Sequence, residues 1–310
     1  MNRSKCQVCG SKHTVKNGLR KCKHGTEQKY ICKECGYQFT NSKLPQDKEI
    51  WKLYQENKQT IEELSCMLGT SASTIKRRLR NIKIEWEQPP IFGAGYVHID
   101  ATYWGRNSGI LVAIDSEKGN VLYLAFINHE KVSDYIEAID SIESRGYEIK
   151  GIIIDGVKTL FKKLSAYKIQ MCQFHMRQIV KRYLTNSPKL LASRALNEMM
   201  HKLTEYSETD FQKEYLEWKT KWKDVLDKKS ELKNGRKRYR HQRLRSAMLS
   251  IDFYLPYLFT FQKKECDRMP NTNNKIEGTF TDLKKNLNNH SGMSEENRKR
   301  FISGFFLALT

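Results

Sequence analysis

From the amino terminus, the first forty residues show almost no apolar period. A helical period runs over residues 46–84, apolar strands follow over 96–172, and a helical period returns to the end. Asp47 to Glu56 reads as an amphipathic helix with Ile50, Trp51 and Tyr54 on one side. Thr60-Ile61-Glu62-Glu63 is a capping box opening a second helix with Ile61, Leu64 and Leu68 inward. Gly69-Thr70-Ser71 makes a turn, and Ser71 caps a third helix, Ala72 to Asn81, with Ile75 and Leu79 toward the core. Ser73, Lys76, Arg77 and Arg80 are left outward, the layout of a helix that enters the major groove. Glu87-Gln88-Pro89-Pro90 reads as a linker, since two prolines stop helix and extend the chain.

Strand patterns follow. Tyr96–Tyr103, Ile110–Ile114 and Val121–Ile127 suit an antiparallel meander with a turn at Glu117-Lys118-Gly119-Asn120. A helix over about Val132–Ser144, a buried strand Ile149–Asp155, a short helix and a strand near Lys168–Cys172 complete the run. Three strands, helix, strand, helix, strand is the order of an RNase H-like α/β domain. From about Gln173 to Gln262 the pattern is helical, and one helix is expected to carry the stripe Phe211, Tyr215, Trp218, Trp222 and Leu226, read as packing. A further helix opens near Asn271, with Ile276, Phe280, Leu283 and Leu287 buried and Glu277, Thr281, Lys284 and Asn288 on an adjacent polar face. The expected fold class is therefore α/β: an RNase H-like core with an all-helical insertion, preceded by two small N-terminal modules. The expected boundaries are 1–42, 43–86, 91–176 for the first part of the core, 177–265 for the insertion and 266–310 for its C-terminal helices.

Charge sharpens this picture. The formal net charge is +20, with +9 in residues 1–90, −1 in 91–176 and +12 in 177–310. Such an excess marks a polyanion partner, and the near-neutral middle keeps acids where a metal site needs them. Between Gly235 and Arg245 six of eleven residues are Lys or Arg; Arg236, Lys237, Arg238, Arg240 and Arg243 are candidates for a phosphate-backbone clamp, as is Lys284. No apolar run approaches the ~18 residues of a membrane span, and the first thirty residues carry no secretory pattern. A cytoplasmic protein with no membrane partner is expected.

Eight cysteines in a reducing compartment point to metal or catalysis rather than disulfides. Cys6-Gln7-Val8-Cys9-Gly10 and Cys32-Lys33-Glu34-Cys35-Gly36 are two knuckles whose four thiolates suit one structural Zn²⁺, so residues 1–42 read as a zinc ribbon and 43–86 as a helix-turn-helix DNA-binding domain. Cys22 and His24 lie in the intervening loop.

Asp100 lies in the first core strand and Asp155 ends the run Ile152-Ile153-Ile154. An ionised aspartate on a buried strand is costly unless paired or metal-bound. Neighbouring strands are ~4.8 Å apart, so the two carboxylates suit shared Mg²⁺ or Mn²⁺, with Glu277 as a third acid. Asp115, just before Ser116, is better read as a turn cap.

Over nearly its whole length the chain resembles the DDE transposases of insertion sequences, in particular the bacterial group similar to Mutator elements. The resemblance rests on His98-Ile99-Asp100-Ala101-Thr102, Ile154-Asp155-Gly156, Cys172-Gln173-Phe174-His175 and Asn271-Thr272-Asn273-Asn274-Lys275-Ile276-Glu277-Gly278. It implies that Asp100, Asp155 and Glu277 are catalytic with two metal ions, and that a helical insertion fills the 122-residue gap between Asp155 and Glu277. It also implies hydrolysis of double-stranded DNA at element ends, attack of the freed 3′-hydroxyl on target DNA, and at least a homodimer to bring two ends together. Cys172 and His175 match the group's C-x-x-H element. For Cys172 the readings are buried packing or support of the acids; for His175, stacking on or bonding to the acids or DNA. Two ligands are too few for a zinc site there. The competing classes are a transcriptional regulator, which needs no placed acids, and a structure-specific nuclease, which makes no strand-transfer product.

Overall fold

The computed structural model describes residues 5–6, 8–22, 25–40, 45–84, 90–231 and 234–309. They fall into two compact units, Met1–Lys83 and Ile84–Thr310. The linker read at 87–90 lies outside the described residues except for Pro90, as does His24.

The first unit begins with three antiparallel strands, β1 (Thr14–Cys22), β2 (Gly25–Cys32) and β3 (Gln38–Thr40), in that order across the sheet. Its interior is small: Cys6, Cys32 and Phe39 are buried and Tyr30 packs against them. Three helices follow, α1 (Asp47–Gln55), α2 (Ile61–Met67) and α3 (Ala72–Arg80). The Thr60–Glu63 capping box forms, with Thr60 N–H donating to Glu63 (2.7 Å) and Glu63 N–H to Thr60 (3.2 Å). Ser71 accepts from Thr74 N–H (3.2 Å), so both helix starts arise from the side chains the sequence pointed to. Ile50, Leu64 and Ile75, all fully buried, make the joint core. The Arg78 guanidinium ties α3 to the start of α1 by donating to Asp47 and to the Pro45 carbonyl (2.6 Å).

The second unit is built on β4 (Gly93–Gly105), β5 (Ser108–Asp115), β6 (Val121–Ile127), α4 (Val132–Ser144), β7 (Tyr147–Ile154), α5 (Lys158–Lys163) and β8 (Ile169–Met171). This is the predicted element order. The five strands form one mixed sheet in the order β6-β5-β4-β7-β8, with β4, β5 and β6 antiparallel and β7 and β8 parallel to β4. Helices cover both faces, which is why β5 is buried almost end to end.

The chain continues through α6 (Gln173–Leu184), α7 (Leu191–His201), α8 (Glu208–Lys221), α9 (Lys223–Asp227), β9 (Lys229–Glu231), β10 (Lys237–Tyr239), α10 (Gln242–Leu258), α11 (Asn274–Asn289) and α12 (Glu295–Leu307). Val97, Ile99, Leu111, Ile152 and Ile154 face a large core shared with α4 to α6, α7, α8 and α10. Ile110, Val112 and Ile114 face a smaller one with Ile276, Phe280 and Leu283 of α11 and Ile302 and Phe306 of α12.

Two expectations are corrected. The aromatic stripe is not one helix: the backbone breaks at Trp222 between α8 and α9. Phe211, Tyr215, Trp218 and Leu226 are nevertheless buried, so the stripe is packing as read. The insertion is also not all-helical, because β9 and β10 pair as an antiparallel hairpin. Gly235 takes the left-handed backbone conformation near its turn (φ +75°). At its base the Arg245 guanidinium lies 3.6 Å from the centre of the Tyr239 ring, with Lys229 Nζ 5.0 Å from it. Three-residue strands that are polar but for Tyr239 leave no apolar period, which hid them in the sequence.

Candidate active site

Asp100 and Asp155 are brought together by strand register. In β4 and β7, Val97 pairs with Ile152 and His98 with Ile153. Continued by two residues, that register sets Asp100 level with Asp155, just past the end of β7. In parallel strands, level residues point to the same face. His98 and Asp100 share that face, opposite Val97 and Ile99, and it is the face on which α11 packs.

α11 is pinned there by its own first residues. Asn273, fully buried, makes a hydrogen bond through Oδ1 with His98 Nδ1 (2.8 Å), and its backbone N–H donates to Cys172 Sγ (3.2 Å). Asn271 closes a double bridge with Gln173, its carbonyl accepting from Gln173 N–H (2.9 Å) and its amide donating to Gln173 Oε1 (3.0 Å). Lys275 Nζ donates to the carbonyls of Ser116 (2.9 Å) and Glu117 (2.7 Å) in the β5–β6 turn. The asparagine-rich run before Glu277 is therefore a set of fasteners joining β4, the β5–β6 turn and α6. One turn further on, Glu277 Oε1 lies 3.6 Å from His175 Nδ1, too far for a hydrogen bond.

The electrostatics of this corner are adverse. Burial, and after it the charge of Asp155, pushes the Asp100 carboxyl well above the usual carboxylate range, against one N–H donated by Ala101. Burial also raises Asp155, while its own backbone N–H and, after it, Arg182 on α6 pull it back. Burial lowers His98 and His175 and so favours the neutral imidazole in each. Burial pushes the Cys172 thiol up to about 11. Asp155 Oδ1, Glu277 Oε1 and His175 Nδ1 are each buried without a hydrogen-bond partner. A buried polar atom left without a partner costs roughly 1–3 kcal/mol, so three of them on neighbouring elements call for an explanation.

Among the described residues, two groups of side chains bring all their ligand atoms within 4.8 Å: Cys6, Cys9, Cys32 and Cys35, and Cys172, His175 and Glu277. Asp100, Asp155 and Glu277 do not close to that distance as a trio. In the four-cysteine group Cys6 Sγ is 3.5 Å from Cys35 Sγ, and Cys9 Sγ is 3.5 Å from Cys32 Sγ. The backbone N–H of Cys9 leads in holding Cys6 down, at about 6; Cys9, despite the N–H of Ser11, is pushed up to about 12 by Cys35 and Cys32 beside it. Cys32, like Cys6, is held down, chiefly by a backbone N–H, while Cys35 is pushed up, and the four ligand atoms lie within 4.8 Å of one another.

Asp115 behaves as the turn cap it was read to be. Its Oδ1 accepts from the N–H groups of Glu117 (2.8 Å) and Lys118 (2.6 Å), and the Tyr147 hydroxyl donates to Oδ2. Ser73, Lys76, Arg77 and Arg80 are exposed on α3. Arg236, Lys237, Arg238 and Arg240 are exposed on and after the hairpin, and Lys284 on α11. Arg243, also exposed, donates to the Arg182 carbonyl (2.6 Å). Sequence reasoning passed over Glu130, in the β6–α4 loop. Its carboxylate accepts from the Tyr135 hydroxyl (2.7 Å), and its pKa is raised by desolvation and, to a smaller degree, by Asp155. It also missed the roles of His98 and Asn273. For His98 a signal existed, since it lies two residues before Asp100 on the same strand face.

No protein-family model matches the sequence, and no curated protein does. Among solved structures, a chain of the cryo-electron-microscopy structure of the simian T-cell lymphotropic virus intasome in complex with PP2A regulatory subunit B56 gamma matches at 12% identity and a TM-score of 0.22. The match covers 65% of this chain and 65% of that chain, so the present protein spans about two thirds of the length it is compared with. A likeness at that score bears on neither fold nor function.

Proposed function

We propose that this protein is a DNA transposase of the DDE type, with an RNase H-like core whose acids are Asp100, Asp155 and Glu277. The single observation that carries the reading is a buried aspartate on β4 beside a second aspartate just past the end of β7, with α11, which bears Glu277, packed on that face of the sheet. It is supported by buried Asp155 and Glu277 oxygens that no protein donor satisfies. The donor set is hard oxygen, which fits Mg²⁺ or Mn²⁺. Such ions, held by Asp100, Asp155 and Glu277, would supply activation of an attacking oxygen and stabilisation of a leaving one.

The chain's own residues do the rest. Asp100 and Asp155 contribute negative charge at adjacent strand positions, and Glu277 contributes it from the opposite wall of the corner. Asn273 and Lys275 fix α11, and hence Glu277, against the sheet. Arg182, whose charge is felt at Asp155, is suited to a phosphate of the DNA strand. The exposed cations on α3 suit reading of an element end in the major groove, and those of the hairpin suit its backbone. The four cysteines fit one structural Zn²⁺: tetrahedral thiolates at ~2.3 Å from zinc lie about 3.8 Å from one another. Residues 1–42 are then a zinc ribbon, 43–86 a helix-turn-helix module, and 91–176 with 266–310 a core interrupted by an insertion over 177–265. Joining two ends calls for at least a dimer on DNA.

The test uses the purified full chain, Mg²⁺ and a labelled duplex carrying the DNA that flanks the coding sequence, with an unlabelled target. Cleavage to a 3′-hydroxyl followed by covalent joining to the target is the expected result. Cleavage without joining would make the protein a nuclease, and binding without cleavage a regulator.

A further inference from the structure

The C-x-x-H pair acquires a third member in the folded chain. Cys172 and His175 sit at the start and in the first turn of α6, and Glu277 in the first turn of α11; their Sγ, ring nitrogen and carboxylate oxygen all lie within 4.8 Å of one another. Of the three facing atoms only the sulfur has a hydrogen-bond donor, the Asn273 N–H. His175 Nδ1 and Glu277 Oε1 are both buried and unpartnered, although they are only 3.6 Å apart. Two unpaired polar atoms held that close, without the hydrogen bond that would relieve both, suit a cation between them.

The donor types decide which cation. A thiol sulfur and an imidazole nitrogen are poor ligands for Mg²⁺, which takes oxygen. Sulfur, nitrogen and one carboxylate are the ligands of a tetrahedral Zn²⁺ that keeps one position open. The second helix also makes the site rigid, because Asn273 N–H donates to Cys172 Sγ and so locks the sulfur to the end of α11 that carries Glu277. We infer that Cys172, His175 and Glu277 form a second zinc site, distinct from the four-cysteine cluster, and that zinc bound there captures Glu277 and opposes Mg²⁺-dependent cleavage. The inhibitory half of this inference rests on the assignment of Glu277 to the cleavage site; the binding half does not.

The experiment is a metal count on the full chain, with activity measured beside it. Protein equilibrated with Zn²⁺ and freed of excess ion should retain about two zinc ions per chain. His175→Gln and Cys172→Ser should each retain about one, and Asp100→Asn about two. Co²⁺ added to protein whose four-cysteine site already holds zinc should give a thiolate-to-cobalt band in the near ultraviolet, which Cys172→Ser abolishes. Circular dichroism on each variant separates loss of the site from loss of the fold, and the His175→Gln count stands if Cys172→Ser misfolds. In the wild type, Zn²⁺ at levels that fill the second site should reduce Mg²⁺-supported cleavage at least tenfold. A wild-type count of one, or a second ion lost in Asp100→Asn but kept in His175→Gln, overturns the site. If the count is two and zinc leaves cleavage undiminished, the inhibitory half is wrong. If Mg²⁺ supports no cleavage at all, the proposed activity fails while the metal count still decides the site.

Discussion

Asp100 shows how one side chain can be placed against its own stability. It is 8% exposed, and it feels the charge of a second aspartate, Asp155. In the unfolded chain it ionises near about pH 3.9, whereas in the folded chain burial and then Asp155 delay ionisation to higher pH. Between those two values the folded state holds the extra proton, so this group's contribution to stability falls as pH rises and stays reduced above the folded pKa. Asp100→Asn removes the penalty. In Mg²⁺-free buffer at neutral pH it should raise unfolding stability and flatten the loss between acid and neutral pH, as read by urea titration. Addition of Mg²⁺ should stabilise the wild type and leave the variant unchanged. A wild type that gains nothing from Mg²⁺ would mean that the carboxylates are not held for a cation. A chelator is unsuitable here because it would also strip the four-cysteine site.

At the scale of elements, the first forty residues and the sheet rest on different physics. Among its described residues the cysteine module's apolar cluster is Cys6, Cys32 and Phe39 with Tyr30 packed against them, so metal binding is expected to supply its folding energy. Cys9→Ser should unfold residues 5–40, lower the bound zinc and weaken binding to element ends; unchanged zinc content and unchanged chemical shifts in that module would contradict the assignment. The helices and strands that carry strong apolar periods were legible in the sequence almost to the residue, as at β6, α4 and α3, because one face of each is buried and the other is not. What escaped was structure made by other forces. The β9–β10 strands are polar but for Tyr239 at their base, and the break at Trp222 leaves the stripe's period intact, so neither disturbs the apolar pattern. The site divides the same way. Asp100 and Asp155 stood out as acids in apolar strands, whereas the contacts of Asn273 with His98 and Cys172 join positions 175 and 101 residues apart, and no local pattern records them.

For the whole molecule, the proposal divides the work of DNA contact between two exposed cationic surfaces, α3 and the hairpin. Arg77→Ala should reduce discrimination between element ends and random duplex by roughly 1–3 kcal/mol. Neutralising Arg236, Lys237 and Arg238 together should weaken both equally and lower the salt slope by about one unit per lost phosphate contact. If the triple variant changes sequence preference and Arg77→Ala does not, the two surfaces have been assigned in reverse. The central claim, however, is chemical: three acids from two strands and a helix act as one metal-holding unit. It is tested most directly by assaying Asp100→Asn, Asp155→Asn and Glu277→Gln for cleavage and joining of a labelled end in Mg²⁺ or Mn²⁺, with end-binding measured by gel shift. Asp115→Asn serves as the control, since that side chain caps a turn. The account predicts that each of the three binds ends normally yet loses both activities, while Asp115→Asn retains them. Activity close to wild type in all three, with binding intact, would contradict it.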